Sequence, residues 1–304
     1  MLVDELQKFA ETLDNKVNFL IVDDGSRDRT WEMACDISQK DPRFGCIRFS
    51  RNFGHQIAVS AGLKHIKGDV VAVIDADLQD PPHVIKDMID KWYEGYDVVY
   101  GVRGNRKEGI LLRSAYSVFY RMMRKVANID VPLDAGDFSL MDRRVVNHIN
   151  AMPEHNRFVR GLRGWVGFSQ TGVEYERSAR AAGEPKYDIK KLFKLAMDGI
   201  ITFSSMPLRI AVWIGTFSAI LGFLYLVYVV ILALFYQETP SGWASLVVLF
   251  LFIGGIQLLI LGIIGEYIGR IFEEVKDRPI FVVSEKAGWV EESEEHLSHD
   301  KHPY

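Results

Sequence analysis

Two long apolar runs near the carboxyl end dominate the hydrophobic pattern of the chain. Residues 210–236 carry no ionisable side chain except tyrosine, and residues 243–264 form a second apolar run. A helix rises about 1.5 Å per residue, so each run is long enough to cross the ~30 Å hydrocarbon core of a bilayer. Pro240 and Gly242 predict a turn between the runs. We therefore predict a hairpin of two membrane-spanning helices, at about 210–236 and 243–265.

The charges that flank the two runs predict the orientation of this hairpin. Arg209 precedes the first run, Arg270 and Lys276 follow the second, and the connecting segment 237–242 contains no lysine or arginine. Positively charged flanks remain in the cytoplasm, so we predict a multi-pass protein of the cell membrane with both termini cytoplasmic. Residues 1–16 contain acids and no apolar core, so no signal peptide is expected.

The rest of the chain alternates short apolar runs with helical patterns. The short runs lie at residues 19–22, 70–74 and 97–100, and a polar segment directly follows each of them. Continuous apolar runs of this length are typical of strands that are buried on both faces, as in parallel sheets. Helical patterns lie between these runs, at residues 30–39, 56–65 and 83–93. This alternation predicts an α/β fold with a mostly parallel, doubly wound sheet, which binds ligands at the carboxyl ends of its strands.

Two basic amphipathic patterns lie between these elements and the hairpin. The pattern at residues 110–126 fits either packing on the sheet or binding to anionic lipid headgroups, and both interpretations stay open. The pattern at residues 188–201 leads directly to Pro207, so we expect it at the membrane surface. The predicted organisation is a globular domain at 1–180, a juxtamembrane amphipathic helix at 181–206, two membrane helices within 207–271 and a cytoplasmic tail at 272–304.

The composition excludes one broad class of partner. The 304 residues carry a formal net charge of −4 and no dominant basic stripe, so nucleic acid is not an expected partner. Cys35 and Cys46 are the only cysteines in the sequence. Their spacing fits no metal site, and we expect two reduced thiols.

The polar segments that follow the predicted strands contain the residues that can carry chemistry. Asp75 and Asp77 follow the second strand, where two carboxylates at this spacing can bind a divalent cation, unless they form a solvated acidic turn. Asp23 and Asp24 follow the first strand and can accept hydrogen bonds from a nucleobase and ribose, although such a turn also caps helices. Arg103 follows the third strand and fits either phosphate binding or a charged surface.

Five motifs in this order resemble those of glycosyltransferase family 2. They are residues 23–26 (DDGS), 50–55 (SRNFGH), 75–82 (DADLQDPP), 101–103 (GVR) and 134–138 (DAGDF). Within that family the chain is similar to the polyprenyl-phosphate branch, which includes dolichol-phosphate mannose synthases and, more closely, bactoprenol glucosyltransferases. Residues 160–187 and the predicted hairpin resemble the bacterial members of this branch.

The resemblance implies a GT-A fold and an inverting glycosyl transfer that depends on a divalent metal ion, Mg2+ or Mn2+. On the donor side it implies Asp75, Asp77 and Gln79 at the metal, Asp23 and Asp24 near the nucleoside, and Arg103 at a phosphate. At the reacting centre it implies Asp77 and Asp137 as catalytic residues. Toward the lipid phosphate it implies Arg177, Arg180 and Lys186.

The implied acceptor changes what the enzyme must provide. A phosphate monoester has a second pKa near ~6, so it is largely a dianion at neutral pH and needs no strong general base. We therefore expect Asp137 to orient groups in the site. The larger requirement is to hold two anions together, which accounts for a metal on one side and cationic side chains on the other.

The beginning of the sequence departs from the family pattern. Family members begin with a strand that carries a Pro-x-Tyr-Asn-Glu-like motif, whereas this sequence starts at what we expect to be the first helix, residues 2–13. We expect the sheet to lack a central strand and part of the base pocket. Either the sequence starts downstream of the native start or is trimmed, or the protein is an impaired enzyme.

The sequence therefore predicts a membrane-bound hexosyltransferase whose active site faces the cytoplasm. The expected reaction transfers glucose from UDP-glucose to undecaprenyl phosphate, with membrane lipids as further partners and a homo-oligomer left open. The alternatives are another donor, such as UDP-N-acetylglucosamine or GDP-mannose, and a catalytically impaired partner subunit. A processive polysaccharide synthase is a further alternative, although the sequence lacks the Gln-x-x-Arg-Trp segment of those enzymes.

Overall fold

A computed structural model describes seven parts of the chain. They are residues 2–77, 79–103, 135–155, 157–176, 206–231, 235 and 242–290. The chain divides into two units, the first formed by residues 1–186 and 279–304 and the second by residues 187–278. The first unit thus contains one segment that precedes the apolar helices in sequence and one that follows them.

The first sheet of unit 1 joins the beginning of the chain to its end. Strand β1 (Phe19–Asp23) pairs in parallel with β2 (Phe44–Phe49). Strand β7 (Val283–Gly288) follows the hairpin in sequence and pairs antiparallel with the other edge of β2. We predicted a cytoplasmic tail at residues 272–304, and residues 283–288 of this segment form an edge strand of the sheet. The predicted strand at 19–22 is confirmed. Strand β2 was not predicted because Arg48 interrupts its apolar run.

The second sheet has the strand order β3-β5-β4-β6. Its strands are β3 (Val70–Val73), β4 (Val98–Arg103), β5 (Ala135–Asp142) and β6 (Gln170–Tyr175). Strand β5 runs antiparallel to both of its neighbours, while β4 and β6 are parallel. The predicted α/β class is confirmed. The described strands form mixed sheets, not a mostly parallel one, because β5 lies antiparallel between β3 and β4.

Helices cover the two sheets and supply most of the buried apolar side chains. They are α1 (Leu2–Glu11), α2 (Thr30–Lys40), α3 (His55–His65), α4 (Val84–Tyr93), α5 (Arg143–Ala151) and α6 (Val159–Trp165). Met88 of α4 packs with Val99, Phe138 and Tyr175 of the second sheet, and the first three are almost fully buried. Truncation of such a residue to alanine typically costs about 2–5 kcal/mol. This core fixes the strand ends that precede the polar motifs.

The two sheets are separated by an apolar cavity. Strands β1 and β3 are the facing edges, and within the described residues no strand lies between them. The cavity has a volume of about 710 Å³, and its lining includes Leu6, Phe9, Val22, Leu63 and Val71. Within the described residues the strands therefore form two separate hydrogen-bonded sheets.

Both cysteines are reduced thiols, as predicted. Cys46 is buried in β2, and burial raises its pKa to about 12. The thiol is therefore protonated and behaves as a small apolar side chain.

Unit 2 contains the two long apolar helices, α7 (Met206–Ile231) and α8 (Trp243–Val275). Each contains a candidate membrane span, Met206–Val229 with a mean hydropathy of 2.1 and Phe252–Val275 with 1.7. Helix α8 continues ten residues beyond the predicted end of the second span at 265. Glu266 and Arg270 lie one turn apart in this extension, and their side chains approach to 3.2 Å.

Candidate active site

The carboxyl end of β1 turns tightly against the loop that follows β2. Gly25 has φ +68°, and a Cβ on this residue would lie 2.5 Å from the carbonyl carbon of Arg51, so the close approach requires glycine. The Asp24 carboxylate accepts hydrogen bonds from the backbone N–H groups of Phe53 (2.7 Å) and Gly54 (2.9 Å). Asp24 thus holds the loop that leads into α3.

Asp23 is buried inside the same turn. Its Oδ1 accepts a hydrogen bond from the backbone N–H of Ser26 at 3.0 Å, and its Oδ2 lies 3.3 Å from Nε of Arg48. The side chain has no exposed surface. Asp23 and Asp24 were predicted to lie near the nucleoside, and both shape the turn that would form this part of the site. Their direct contact with a nucleoside stays a prediction.

His55 connects the ends of β3 and β5. Its Nε2 lies 3.0 Å from Oδ1 of Asp75, and its Nδ1 lies 3.8 Å from Oδ2 of Asp137. The hydrogen bond with Asp75 raises the pKa of His55, burial opposes the rise, and the charges of both aspartates support it. The sequence motif at 50–55 contained His55 without indicating this bridging position. Two carboxylates 62 positions apart in sequence therefore share one imidazole.

Asp137 accepts hydrogen bonds from two neighbouring side chains. Arg160 donates two hydrogen bonds of 2.8 Å, from Nε to Oδ1 and from Nη2 to Oδ2, and Gln56 donates one of 3.2 Å to Oδ2. Burial by itself would raise the pKa of Asp137, but the hydrogen bonds and charge of Arg160, with Gln56 and His55, hold that pKa below its ordinary value. Asp137 is therefore a carboxylate, and a weak base, at neutral pH.

The residues that fix Asp137 come from α3 and α6, and the sequence did not identify them as site residues. Gln56 uses its other amide atom to accept a hydrogen bond from the backbone N–H of Val159 at 2.9 Å, which joins the two helices. Arg163 is fully buried below Arg160, and burial lowers its pKa to about 10. The available signal was the pair of arginines three positions apart in a short, otherwise apolar helix, which places both on one face.

The predicted metal ligands provide oxygen atoms suited to a hard divalent ion. Asp75 and Asp77 follow β3, and Oδ1 of Asp77 accepts a hydrogen bond from the backbone N–H of Gln79 at 3.1 Å. Gln79 is buried, and its Oε1 has no hydrogen-bond partner among the described residues, although a buried amide oxygen normally has one. In the described part of the chain no three His, Cys, Asp or Glu side chains group closely enough to hold a metal. The donor set fits an ion that also binds diphosphate oxygens.

Four further predicted residues are only partly covered or not covered by the structure. Arg103 ends β4, where its backbone is in register with Tyr175, and its side chain lies outside the described residues. Arg177, Arg180 and Lys186 lie outside the described residues, as do the amphipathic patterns at 110–126 and 188–201. Their predicted roles stay predictions.

Two family models match the chain, one for each part of this architecture. The model described as "Glycosyl transferase family 2" matches residues 4–149, which contain Asp23, Asp75 and Asp137. The model described as "GtrB C-terminal hairpin" matches residues 206–271, which contain α7 and most of α8. The matches therefore follow the division between the mixed α/β unit and the apolar helices.

Several curated proteins are similar over almost the whole chain. "Uncharacterized glycosyltransferase YkcC" of Bacillus subtilis (strain 168) is 51% identical over 93% of this chain and 88% of its own length. "SfII prophage-derived bactoprenol glucosyl transferase" of Shigella flexneri is 41% identical, over 91% of this chain and 90% of that protein. "Bactoprenol glucosyl transferase" of Shigella phage SfV is 40% identical, over 91% of each chain.

Among solved structures, glucosyl-3-phosphoglycerate synthase from Mycobacterium tuberculosis is similar at 17% identity and a TM-score of 0.40, over 61% of this chain and 67% of that one. The family assignment rests on the sequence relatives, because identities of 40% and more extend over nine-tenths of the chain. With its motif carboxylates gathered at strand ends and an apolar hairpin after them, this chain belongs to glycosyl transferase family 2, as a glycosyltransferase with a GT-A α/β domain and a GtrB-type carboxyl-terminal hairpin.

Proposed function

We propose that this protein transfers glucose from UDP-glucose to undecaprenyl phosphate, with inversion, at the cytoplasmic face of the membrane. The relatives named as bactoprenol glucosyl transferases, at 40–41% identity, support both the sugar and the polyprenyl-phosphate acceptor. The observation that carries the mechanism is the state of Asp137, a buried carboxylate fixed by two hydrogen bonds from Arg160.

The chemistry of the acceptor explains why a weak base suffices. A phosphate monoester is largely dianionic at neutral pH and has no proton that must be removed before it attacks. A carboxylate whose pKa is held down by Arg160 removes protons poorly, but its position is well defined. Asp137 therefore orients Arg160, Gln56 and His55 around the reacting centre. Positioning of two charged reactants is itself a large catalytic contribution.

The proposed donor side combines a metal site with the tight turn at residues 23–26. Asp75, Asp77 and the amide oxygen of Gln79 are the residues that would hold Mg2+ or Mn2+. When bound, such an ion stabilises the negative charge that develops on the departing nucleoside diphosphate. His55 holds Asp75 in place at 3.0 Å. The turn at 23–26 and Arg103 complete the proposed donor site.

The acceptor side is proposed to use cationic residues near the membrane. Arg177, Arg180 and Lys186 would bind the lipid phosphate, because two anions can approach only if each is neutralised separately. Lys186→Ala should raise the apparent KM for the lipid phosphate and leave donor binding unchanged, as steady-state kinetics with each substrate varied would show. A rise in donor KM of the same size would contradict this division.

The first sheet supports a topology with an even number of membrane crossings. Strand β7 follows the hairpin and β2 precedes it, yet the two pair along their length, so both lie on the same side of the membrane. The positive flanks of the apolar runs then favour the cytoplasm for that side. Nucleotide sugars are cytoplasmic substrates, which agrees with this orientation.

Cysteine labelling tests this topology. In a Cys35→Ser/Cys46→Ser background, Ser241→Cys should react with an impermeant thiol reagent added outside intact cells. Ser284→Cys should react only after the cells are opened. The opposite labelling pattern would contradict the proposed orientation and would place the active site away from its donor.

A panel of donors tests the proposed reaction. Membranes that contain the protein should transfer radiolabelled glucose from UDP-glucose to undecaprenyl phosphate, and excess EDTA should stop the transfer. Transfer from UDP-N-acetylglucosamine or GDP-mannose instead would keep the reaction class and correct the donor. A processive synthase would give polymer in place of a single-sugar lipid. Neither transfer nor metal-dependent nucleotide-sugar binding would support the impaired partner subunit.

A further inference from the structure

Strand β7 brings one acidic side chain from beyond the hairpin to Arg48, which contacts the turn at the end of β1. Glu285 lies in register with Arg48 on β2. Its Oε1 accepts a hydrogen bond from Nη1 of Arg48 at 2.8 Å, and its Oε2 accepts one from Nε1 of Trp31 at 2.8 Å. Both carboxylate oxygens thus accept hydrogen bonds, and the bond from Trp31 holds the carboxylate that Arg48 contacts.

The opposite edge of the same guanidinium contacts the turn. Nη2 of Arg48 donates a hydrogen bond to the backbone carbonyl of Ser26 at 3.1 Å, and Nε lies 3.3 Å from Oδ2 of Asp23. The Asp23 side chain is completely buried, so Arg48 provides the cation that compensates its charge. Because a guanidinium is planar and rigid, the orientation imposed by Glu285 also determines how Arg48 meets the turn.

We infer that Glu285 is a positioning residue for the donor side of the active site. It acts through Arg48 on Asp23 and on the 23–26 turn, so the segment that follows the second long helix sets the geometry of the nucleotide-binding region. This inference rests on the proposed function, which assigns that turn to the donor. The Arg48–Glu285 pair is partly exposed, with 28% and 49% of the side chains accessible, so its contribution to global stability is small.

The comparison of Glu285→Gln with Glu32→Gln tests the inference. The first substitution retains the size of the side chain and removes the charge that orients Arg48. The second removes the charge of an exposed pair, Arg29–Glu32 at 2.9 Å, which does not involve the β1 turn. Glu285→Gln should raise the KM and Kd for the nucleotide sugar about three- to tenfold, as expected for a weakened hydrogen bond to a charged group. The KM for the lipid phosphate should change less than twofold, and Glu285→Asp should recover part of the loss.

Hydrogen–deuterium exchange gives a readout that does not depend on sugar transfer. In the full-length protein in detergent, Glu285→Gln should accelerate amide exchange in peptides that cover residues 23–26, since the Ser26 N–H is bonded to Asp23. Peptides of α5 and β6 should exchange as in the unsubstituted protein. If the wild type neither binds nor transfers any sugar, the proposed function fails while accelerated exchange still supports the positioning contact. Equal exchange and equal donor KM in the Glu285→Gln and Glu32→Gln variants would overturn the inference, as would an equal rise in acceptor KM.

Discussion

Two groups of motif aspartates lie near strand ends of the same unit, yet their surroundings differ. Asp24, at the end of β1, has its carboxylate oxygens bonded to two backbone N–H groups, and Asp23 beside it is buried. Asp75 and Asp137, at β3 and β5, are instead bonded to the side chains of His55, Gln56 and Arg160. A carboxylate bonded to backbone shapes a loop, whereas one bonded to ionisable side chains can respond to charged reactants. Near one strand end an aspartate therefore shapes a loop, whereas near the others we expect aspartates to act on the reactants.

The largest effect is expected for Asp137→Asn. The amide cannot make the same charge-assisted pair with Arg160, so we expect a loss of roughly 10²–10³ in kcat, comparable to removal of one preorganised electrostatic contact. A pH–rate profile between about pH 6 and 9 checks the role of this residue. The variant should stay slow across the range, because a dianionic acceptor has no proton left to lose. Recovery to near wild-type rates at high pH would identify Asp137 as a general base and point to a hydroxyl acceptor.

Asp77→Asn should lower turnover by about 10²-fold or more, because it removes a charged ligand from the proposed metal site with little change in shape. The thermal midpoint without metal should stay close to that of the wild type. Titration of Mn2+ against turnover and against nucleotide-sugar binding measures the loss, with Asp36→Asn on α2 as a control outside the site. Normal turnover of the variant in the presence of EDTA would contradict the metal proposal.

Asp24→Ala should affect stability more than Asp75→Ala does. It leaves the backbone N–H groups of Phe53 and Gly54 without their acceptor, at a cost of about 1–3 kcal/mol in the free energy of unfolding. Thermal unfolding of the two variants in one detergent checks the difference. If Asp75→Ala is the less stable of the two, the distinction between an aspartate that holds a loop and one that acts on the reactants is wrong.

The smallest expected effect is a pH dependence of stability at Asp137. Its pKa is lower in the folded protein than in the unfolded chain, so its ionisation stabilises the fold at neutral pH. This contribution is complete above the unfolded pKa, about 3.9, and is lost as the pH falls through the lower folded value. The stability difference between wild type and Asp137→Asn should therefore shrink as the pH falls from about 5 to 3. A difference that grows on acidification would contradict the lowered pKa.

The sequence predicted several elements because their signals are local. The runs at 19–22 and 70–74 are continuous and apolar, and the structure forms β1 and β3 there. The helices at 30–39, 56–65 and 83–93 appear within two residues of their predicted ends. Strand β7 could not be predicted in this way, because its sequence VSEKAG is polar and it forms only where the edge of β2 is available.

By itself, the sequence determined the α/β class, the family and the apolar hairpin. These depend on the order of the motifs, on the period of the hydrophobic pattern and on the length of the apolar runs, all of which can be read from short segments. Tertiary structure alone decided that His55 bridges Asp75 and Asp137, that Arg160 fixes Asp137 and that Glu285 reaches the β1 turn through Arg48. These partners are separated by 20 to 237 positions along the chain. Such pairings arise from strand register and helix packing, and no local pattern of hydrophobic and polar residues encodes them.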